Sequence, residues 1–315
     1  MTGSPWIRIP PRPADGHKGT FGSVLVVGGC VAPRRMLGGP ALSAAAALRA
    51  GCGLCELAMP APLLDAALTI VPVATGVPLA VDGDGVIDPT AAAISLAEAA
   101  ERATVVAIGP GLGRSPAAEA VVETTLATAR SLGRPIVVDA DALNAIAKGP
   151  PRSPWPTSPP TIVTPHPGEF RRLAAALGLA ADPISPERRS AAAADLAQRL
   201  GALVVLKGAG TVVCDGVRTT INPTGNAALA TGGSGDVLTG LCAGLAAQRF
   251  ASDPADSGLA AFESAATAVW CHGRAAERAV ARRAADRPAG VLASDLLDEI
   301  PMAFADARHA AAGSQ

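Results

Sequence analysis

The sequence predicts a three-layer α/β fold, a mostly parallel central sheet flanked by helices on both faces. Short apolar runs rich in Val, Ile and Leu alternate with longer Ala/Leu stretches of helical period, the pattern of βαβ units. Proline opens several of the helical stretches, where a missing amide hydrogen costs nothing. With 315 residues, 49% hydrophobic and 17% charged, the chain is long enough to bury a large core, which excludes disorder.

Taken in order, residues 23–27, 54–59, 104–108, 135–138, 161–164 and 203–206 read as strands. Residues 211–214 and 217–221 flank Asp215-Gly216, a turn pair that predicts a hairpin. Helices are expected at 40–50, 116–132, 167–177, 186–200, 235–249, 259–283 and 293–307. Residues 149–160 hold six prolines, a composition that resists helix and sheet. The apolar runs on either side look like consecutive strands of one sheet, so this stretch reads as a surface loop within a single domain spanning 1–315.

Lys and Arg total 26 against 27 Asp and Glu, so no global positive field exists to hold nucleic acid or an anionic membrane. Tyrosine is absent, which excludes mechanisms with a tyrosyl acid, and five Phe with three Trp leave few rings for base stacking. The first residues carry Arg8, Arg12 and Asp15 and no apolar secretory segment, and residues 66–81 are too short and proline-broken to span a bilayer. A cytoplasmic protein is expected. Cys52-Gly-Leu-Cys55 is the only CxxC among six cysteines; running into apolar 57–59, it reads as a buried strand entry rather than a zinc half-site completed by Cys271-His272.

The most informative segment runs from Asn222 through Gly225-Asn226 to Thr231-Gly232-Gly233-Ser234-Gly235-Asp236. Clustered glycines at a helix start let the amides of Gly233, Ser234 and Gly235 point at one spot, an anion hole. Asp236 beside it either complements the helix N-terminus or takes a proton from a hydroxyl attacking a phosphoryl group. Lys207-Gly208-Ala209-Gly210-Thr211 follows a strand and suits nucleotide phosphates or ribose. Thr164-Pro165-His166-Pro167-Gly168-Glu169 places an imidazole and a carboxylate at the carboxyl edge of the sheet, where α/β ligands bind. Gly109-Pro-Gly111-Leu-Gly113 has GxGxG spacing, not GxGxxG, and reads as close backbone approach to a ligand. Gly28-Gly29 is a further turn on this edge; Asp139, Asp141 and Asn144 face the same cleft or, for Asp141, cap a helix.

Together these residues resemble the ADP- or ATP-dependent NAD(P)H-hydrate dehydratases, similar in fold to ribokinase-type kinases. The resemblance runs from His17-Lys18-Gly19 through 109–113, 138–144, 164–169 and 207–211 to 222–240, nearly the whole chain. It implies repair of hydrated nicotinamide dinucleotides, NADHX and NADPHX: ADP or ATP phosphorylates a ring hydroxyl, and eliminating phosphate restores NADH or NADPH. By the same resemblance Asp236 is the base, and Gly233, Ser234 and Gly235 stabilise the transferring phosphoryl. Pro40, Gly111 and His166 contact the dinucleotide with Asp236, while Lys207, Gly208, Ala209, Gly210, Thr211 and Gly235 hold the adenine nucleotide. Asp139, Asn144, Glu169 and Asn226 are supporting residues, and Mg²⁺ is expected on the phosphates, with Glu169 matching an acid of the magnesium and phosphate network and no dedicated metal cage in the sequence.

Residues 28–41 depart from the family pattern. A tyrosine is missing, the loop is longer, and Pro40 stands where an alanine is expected; Arg34 or Arg35 either meets the anionic dinucleotide or is solvated. Related kinases carry Asn in place of His166, so a ribokinase-fold kinase of a hydroxymethylpyrimidine or thiazole alcohol is the alternative. The resemblance also implies a homo-oligomer, a tetramer being one of the forms it allows. As the chain starts almost at its first strand, a separate NAD(P)HX epimerase is the expected pathway partner.

Overall fold

The computed structural model describes residues 6–253, 257–283 and 288–312. Nine strands form one sheet: β1 (Ser23–Val27), β2 (Leu54–Pro60), β3 (Thr75–Leu79), β4 (Val105–Ile108), β5 (Ile136–Val138), β6 (Thr161–Val163), β7 (Leu203–Leu206), β8 (Val212–Cys214) and β9 (Thr219–Ile221). Their order is β3-β2-β1-β4-β5-β6-β7-β8-β9, parallel from β3 through β7 and antiparallel for the last two. The helices are α1 (Gly38–Ala50), α2 (Ala61–Ile70), α3 (Pro89–Arg102), α4 (Pro116–Ser131), α5 (Ala140–Lys148), α6 (Pro167–Ala176), α7 (Pro186–Leu200), α8 (Ser234–Ser252), α9 (Ser257–Arg282) and α10 (Ala293–Ala312).

Successive strand residues point to opposite faces, so both faces of an all-apolar strand are buried. Val24, Val26, Leu57 and Val205 pack under α1, α2, α8, α9 and α10, whereas Leu25, Val27, Ala58 and Val204 pack under α3 to α7. Prolines start helices as expected at Pro116, which follows the capping Ser115, and at Pro167, which follows the capping His166; Pro89, after an Asp88 side chain that accepts from the Thr90 and Ala91 amides, opens a further helix in the same way.

Four elements lie outside the expected set: α2, β3, α3 and α5. β3 escapes notice because it holds Gly76 and Pro78; as the outermost strand it tolerates a proline, and Gly76 gives room to Leu64, which a Cβ would approach to 2.7 Å. The hairpin also differs from a two-residue Asp-Gly turn. Cys214 pairs with Thr219, leaving the loop 215–218, because the Asp215 carboxylate accepts from the amides of Val217 (3.0 Å) and Arg218 (2.6 Å). Residues 149–160 form neither helix nor strand and connect α5 to β6, which pairs with β5 in the same sheet, tied down where the Trp155 amide donates to Leu200 O at 2.7 Å.

β1 sits between β2 and β4, so chain direction across the sheet reverses there, and the strand ends at that reversal open a crevice. Small residues bring α8 against the crevice. A Cβ on Gly240 would lie 2.1 Å from Ser43 O and one on Gly244 2.5 Å from Ala47 O, so the Ala-rich α1 meets α8 almost backbone to backbone. Replacing Gly244→Val is expected to destabilise the protein by about 1–3 kcal/mol through overpacking, read as a lower urea midpoint; an unchanged midpoint would show that the contact can relax.

Candidate active site

The site forms where β1, β4, β5, β6 and β7 end and α8 begins. Gly233, at a left-handed φ of 90°, turns the chain into α8; a Cβ there would lie 2.7 Å from Leu42. In the first turn Ser234 N reaches Thr231 O at 3.4 Å, and the Gly235 and Asp236 amides have no protein acceptor among the described residues. Two free donors thus stand at the positive end of a 19-residue helix. Below them the Ser234 hydroxyl meets His272 Nε2 of α9 at 3.2 Å. His272 is buried, which pushes its pKa down to about 4, so the ring is neutral.

Beneath Gly235 lies a buried charge cluster. Asp139, 1% exposed, receives Lys207 Nζ at 2.7 Å and the Thr239 hydroxyl at 2.7 Å. Burial alone would raise its pKa; the Lys207 charge and these hydrogen bonds outweigh it and hold the carboxylate ionised. Lys207 Nζ also stands 3.8 Å from Glu169, and the two carboxylates overcome its own burial to keep the ammonium charged. A Cβ on Gly235 would fall 3.4 Å from that ammonium, so α8 begins directly over it.

His166 caps α6. Its Nδ1 accepts from the Gly168 (2.9 Å) and Glu169 (3.3 Å) amides, and Glu169 in return accepts from His166 N at 2.9 Å. An accepting Nδ1 places the proton on Nε2, which faces Glu169 at 3.3 Å. Burial, then the charges of Lys207 and Arg172, lowers the imidazole pKa; burial raises that of Glu169.

Asp236 faces Gly39 of α1, where a Cβ would crowd its carboxylate at 3.1 Å. Its side chain makes no hydrogen bond among the described residues, while its carbonyl accepts from Ser43 Oγ at 2.8 Å. Burial first, then the negative charge of Asp139, raises its pKa to about 7 against the opposing pull of Lys207. A carboxylate that changes protonation near neutrality, beside free helix amides, can accept a proton from a hydroxyl held there.

The remaining expected residues divide. Pro40 and Gly111 come together, with Met36: a Cβ on Gly111 would lie 3.1 Å from Met36 and 3.6 Å from Pro40. Cys30 and Met36 bridge in antiparallel fashion, so the added loop closes on itself and leaves Arg34 and Arg35 exposed. Gly109 approaches protein rather than ligand, since a Cβ there would sit 1.9 Å from Asp139 O. Asp141 receives the Gly113 amide (2.9 Å) and Arg114 (3.2 Å) instead of capping its helix. Asn144 accepts from Arg172 at 2.7 Å, and Asn226 caps the 3₁₀ turn Ala227–Leu229, each apart from the charge cluster. The sequence carries no signal for Thr239 or for Arg189, which bonds three carbonyls around the 207–210 loop, and it offers His272 only as a discounted zinc partner, not as the partner of Ser234. Cys52 and Cys55 are both buried where β2 begins, their thiol pKa values pushed up by burial.

This sheet order, with a glycine-opened helix and an acid in its first turn, defines the ribokinase-like class. A superfamily member from Enterococcus faecalis matches with a TM-score of 0.74 at 25% identity, covering 95% of this chain and 92% of that one. More narrowly, the chain belongs to the NAD(P)H-hydrate dehydratase family, a hydro-lyase family whose profile matches residues 24–302. The bifunctional NAD(P)H-hydrate repair enzymes of Salinibacter ruber (39% identity over 301 residues) and Moorella thermoacetica (41% over 305) each cover 94% of the chain. The chain spans about half the length of these relatives, 51% and 52%. The Bacillus subtilis ADP/ATP-dependent NAD(P)H-hydrate dehydratase, co-crystallised with ATP and Mg²⁺, matches with a TM-score of 0.72 at 27% identity, over 95% of this chain and 94% of its own.

The raised Asp236 pKa has a cost in stability. In the unfolded chain the group ionises near 3.8, so as pH rises from 4 to 7 the folded state, which keeps the proton longer, loses stability relative to the unfolded one. Asp236→Asn is therefore expected to melt with the wild type near pH 4 and above it at pH 8; equal melting temperatures at both pH values would contradict the shift.

Proposed function

We propose that this chain dehydrates NADHX and NADPHX to NADH and NADPH with ADP or ATP as phosphoryl donor. The observation that carries the reading is Asp236, a carboxylate of pKa about 7 in the first turn of α8 next to unpaired amides. Asp236 removes the proton of the ring hydroxyl as its oxygen attacks the terminal phosphorus of the nucleotide, and the bond to the bridging oxygen breaks, releasing AMP or ADP. The amides of Gly233, Gly235 and Asp236 receive the charge that develops on the transferring group; that of Ser234, expected among them, is turned to Thr231 O. Loss of a proton from the adjacent ring carbon then expels phosphate, a far better leaving group than hydroxide, and restores the double bond.

Gly111, Pro40 and His166 flank the dinucleotide, and Lys207, Gly208, Ala209, Gly210 and Thr211 hold the adenine nucleotide. Among the described residues no cluster of three or more His, Cys, Asp or Glu is arranged to hold a metal ion. Glu169 faces His166 and Lys207, so the donor set fits a Mg²⁺ that arrives on the nucleotide's phosphates, where it would neutralise their charge. No helix is long and apolar enough to cross a membrane among the described residues. A cytoplasmic homo-oligomer working alongside an epimerase is the setting this reading implies.

Asp236→Asn is expected to lower turnover about 10²- to 10⁴-fold with little change in nucleotide affinity, and the wild-type rate to rise with pH through about 7 as the base loses its proton. A variant retaining near-normal turnover removes Asp236 from this role. His166→Ala should raise KM for the hydrated dinucleotide more than KM for ADP; equal changes would detach His166 from the dinucleotide.

A further inference from the structure

Arg189 of α7 is 7% exposed, yet among the described residues no carboxylate pairs with it. Its charge is spent on main-chain oxygens: Nη2 donates to Leu206 O and Lys207 O, both at 3.0 Å, and Nη1 to Ala209 O. Nε is buried without a partner. A buried arginine lacking a counter-ion is costly, so what it organises matters.

In a trans peptide the carbonyl and the following amide point in opposite directions. With the Lys207 and Ala209 carbonyls drawn down onto the guanidinium, the Gly208 and Gly210 amides are turned away from it, and neither donates to a protein acceptor among the described residues. The fourth carbonyl of the turn, that of Gly208, accepts from Thr211 Oγ1 at 2.9 Å. Gly208 is needed at φ 139° because a Cβ there would press the guanidinium at 3.0 Å. The result is a loop with oxygens inward, hydrogens outward and a fixed positive charge behind it, the polarity that an anion requires.

We infer that Arg189 is a positioning residue that shapes the 207–210 loop into a cradle for the phosphate groups of the nucleotide without touching them. The inference rests on reading that loop as the nucleotide site. It separates two functions on the sheet edge: Arg189 governs how tightly nucleotide is held, whereas Asp236 governs the chemical step.

Calorimetry of the full chain with ADP and with ATP, together with steady-state kinetics, tests this on Arg189→Met, Arg189→Lys and Gly208→Ala. Arg189→Met should weaken nucleotide affinity about tenfold or more, and Arg189→Lys, which keeps charge but loses the planar fork, by less. Gly208→Ala should weaken it also. For the two Arg189 variants, kcat at saturating nucleotide should stay within about twofold, with KM for the hydrated dinucleotide unchanged. Wild-type affinity in a folded Arg189→Met protein overturns the inference, as does a fall in kcat at unchanged KM for nucleotide. Should Arg189→Met not fold, wild-type affinity in both Arg189→Lys and Gly208→Ala overturns it equally. A wild-type protein that binds neither nucleotide overturns the loop assignment and this inference together. Binding without dehydration would contradict the proposed activity alone, and the Arg189 comparison would then be decided by affinity.

Discussion

The contact between Lys207 and Asp139 is the interaction on which the site depends. It joins the end of β7 to the end of β5 at 2.7 Å, and Thr239 fastens the second turn of α8 to the same carboxylate. Three elements far apart in sequence are thus locked around one buried charge pair. Removing either partner would leave the other uncompensated, a loss of about 3–5 kcal/mol for a buried pair. The pair also sets the field above it. Asp139 pushes the Asp236 pKa up, Lys207 pulls it down, and burial leaves it near 7.

Around this centre, small residues and backbone hydrogen bonds do the positioning. Gly240 and Gly244 let α8 lie against α1, which carries Gly39 to the Asp236 carboxylate and Pro40 to Gly111. Asp141 holds the Gly113 loop, and the reciprocal bonds between His166 and Glu169 set the start of α6. Rigid support of this kind keeps a carboxylate of unfavourable ionisation in place, an arrangement in which stability is given up at the position proposed to react.

Much of this was readable in the sequence because the informative residues are local. Gly233 to Asp236 and Thr164 to Glu169 each contain a strand-end or helix-start signal and a chemical group within six residues. The six parallel strands expected are all present, since buried parallel strands are continuous apolar runs. What escaped depends on distance or on context. Pro78 disguises β3 because only its edge position makes a proline acceptable, and Asp215 lengthens the hairpin loop through side-chain bonds that a turn dipeptide does not reveal. Arg189, Thr239 and His272 lie on helices among ordinary neighbours; the partners that tie them to the site are 17 to 100 residues away, so no spacing rule could have assigned them there.

In the proposed reaction, phosphoryl transfer at the α8 N-terminus ends in elimination. This is tested most directly by incubating the full chain with Mg²⁺, a nucleotide and hydrated NADH or NADPH, while following dihydronicotinamide absorbance and inorganic phosphate together. Equimolar recovery of absorbance and release of phosphate, dependent on ADP or ATP, is expected. Nucleotide consumption that leaves a stable phosphoester and no dihydronicotinamide would contradict it.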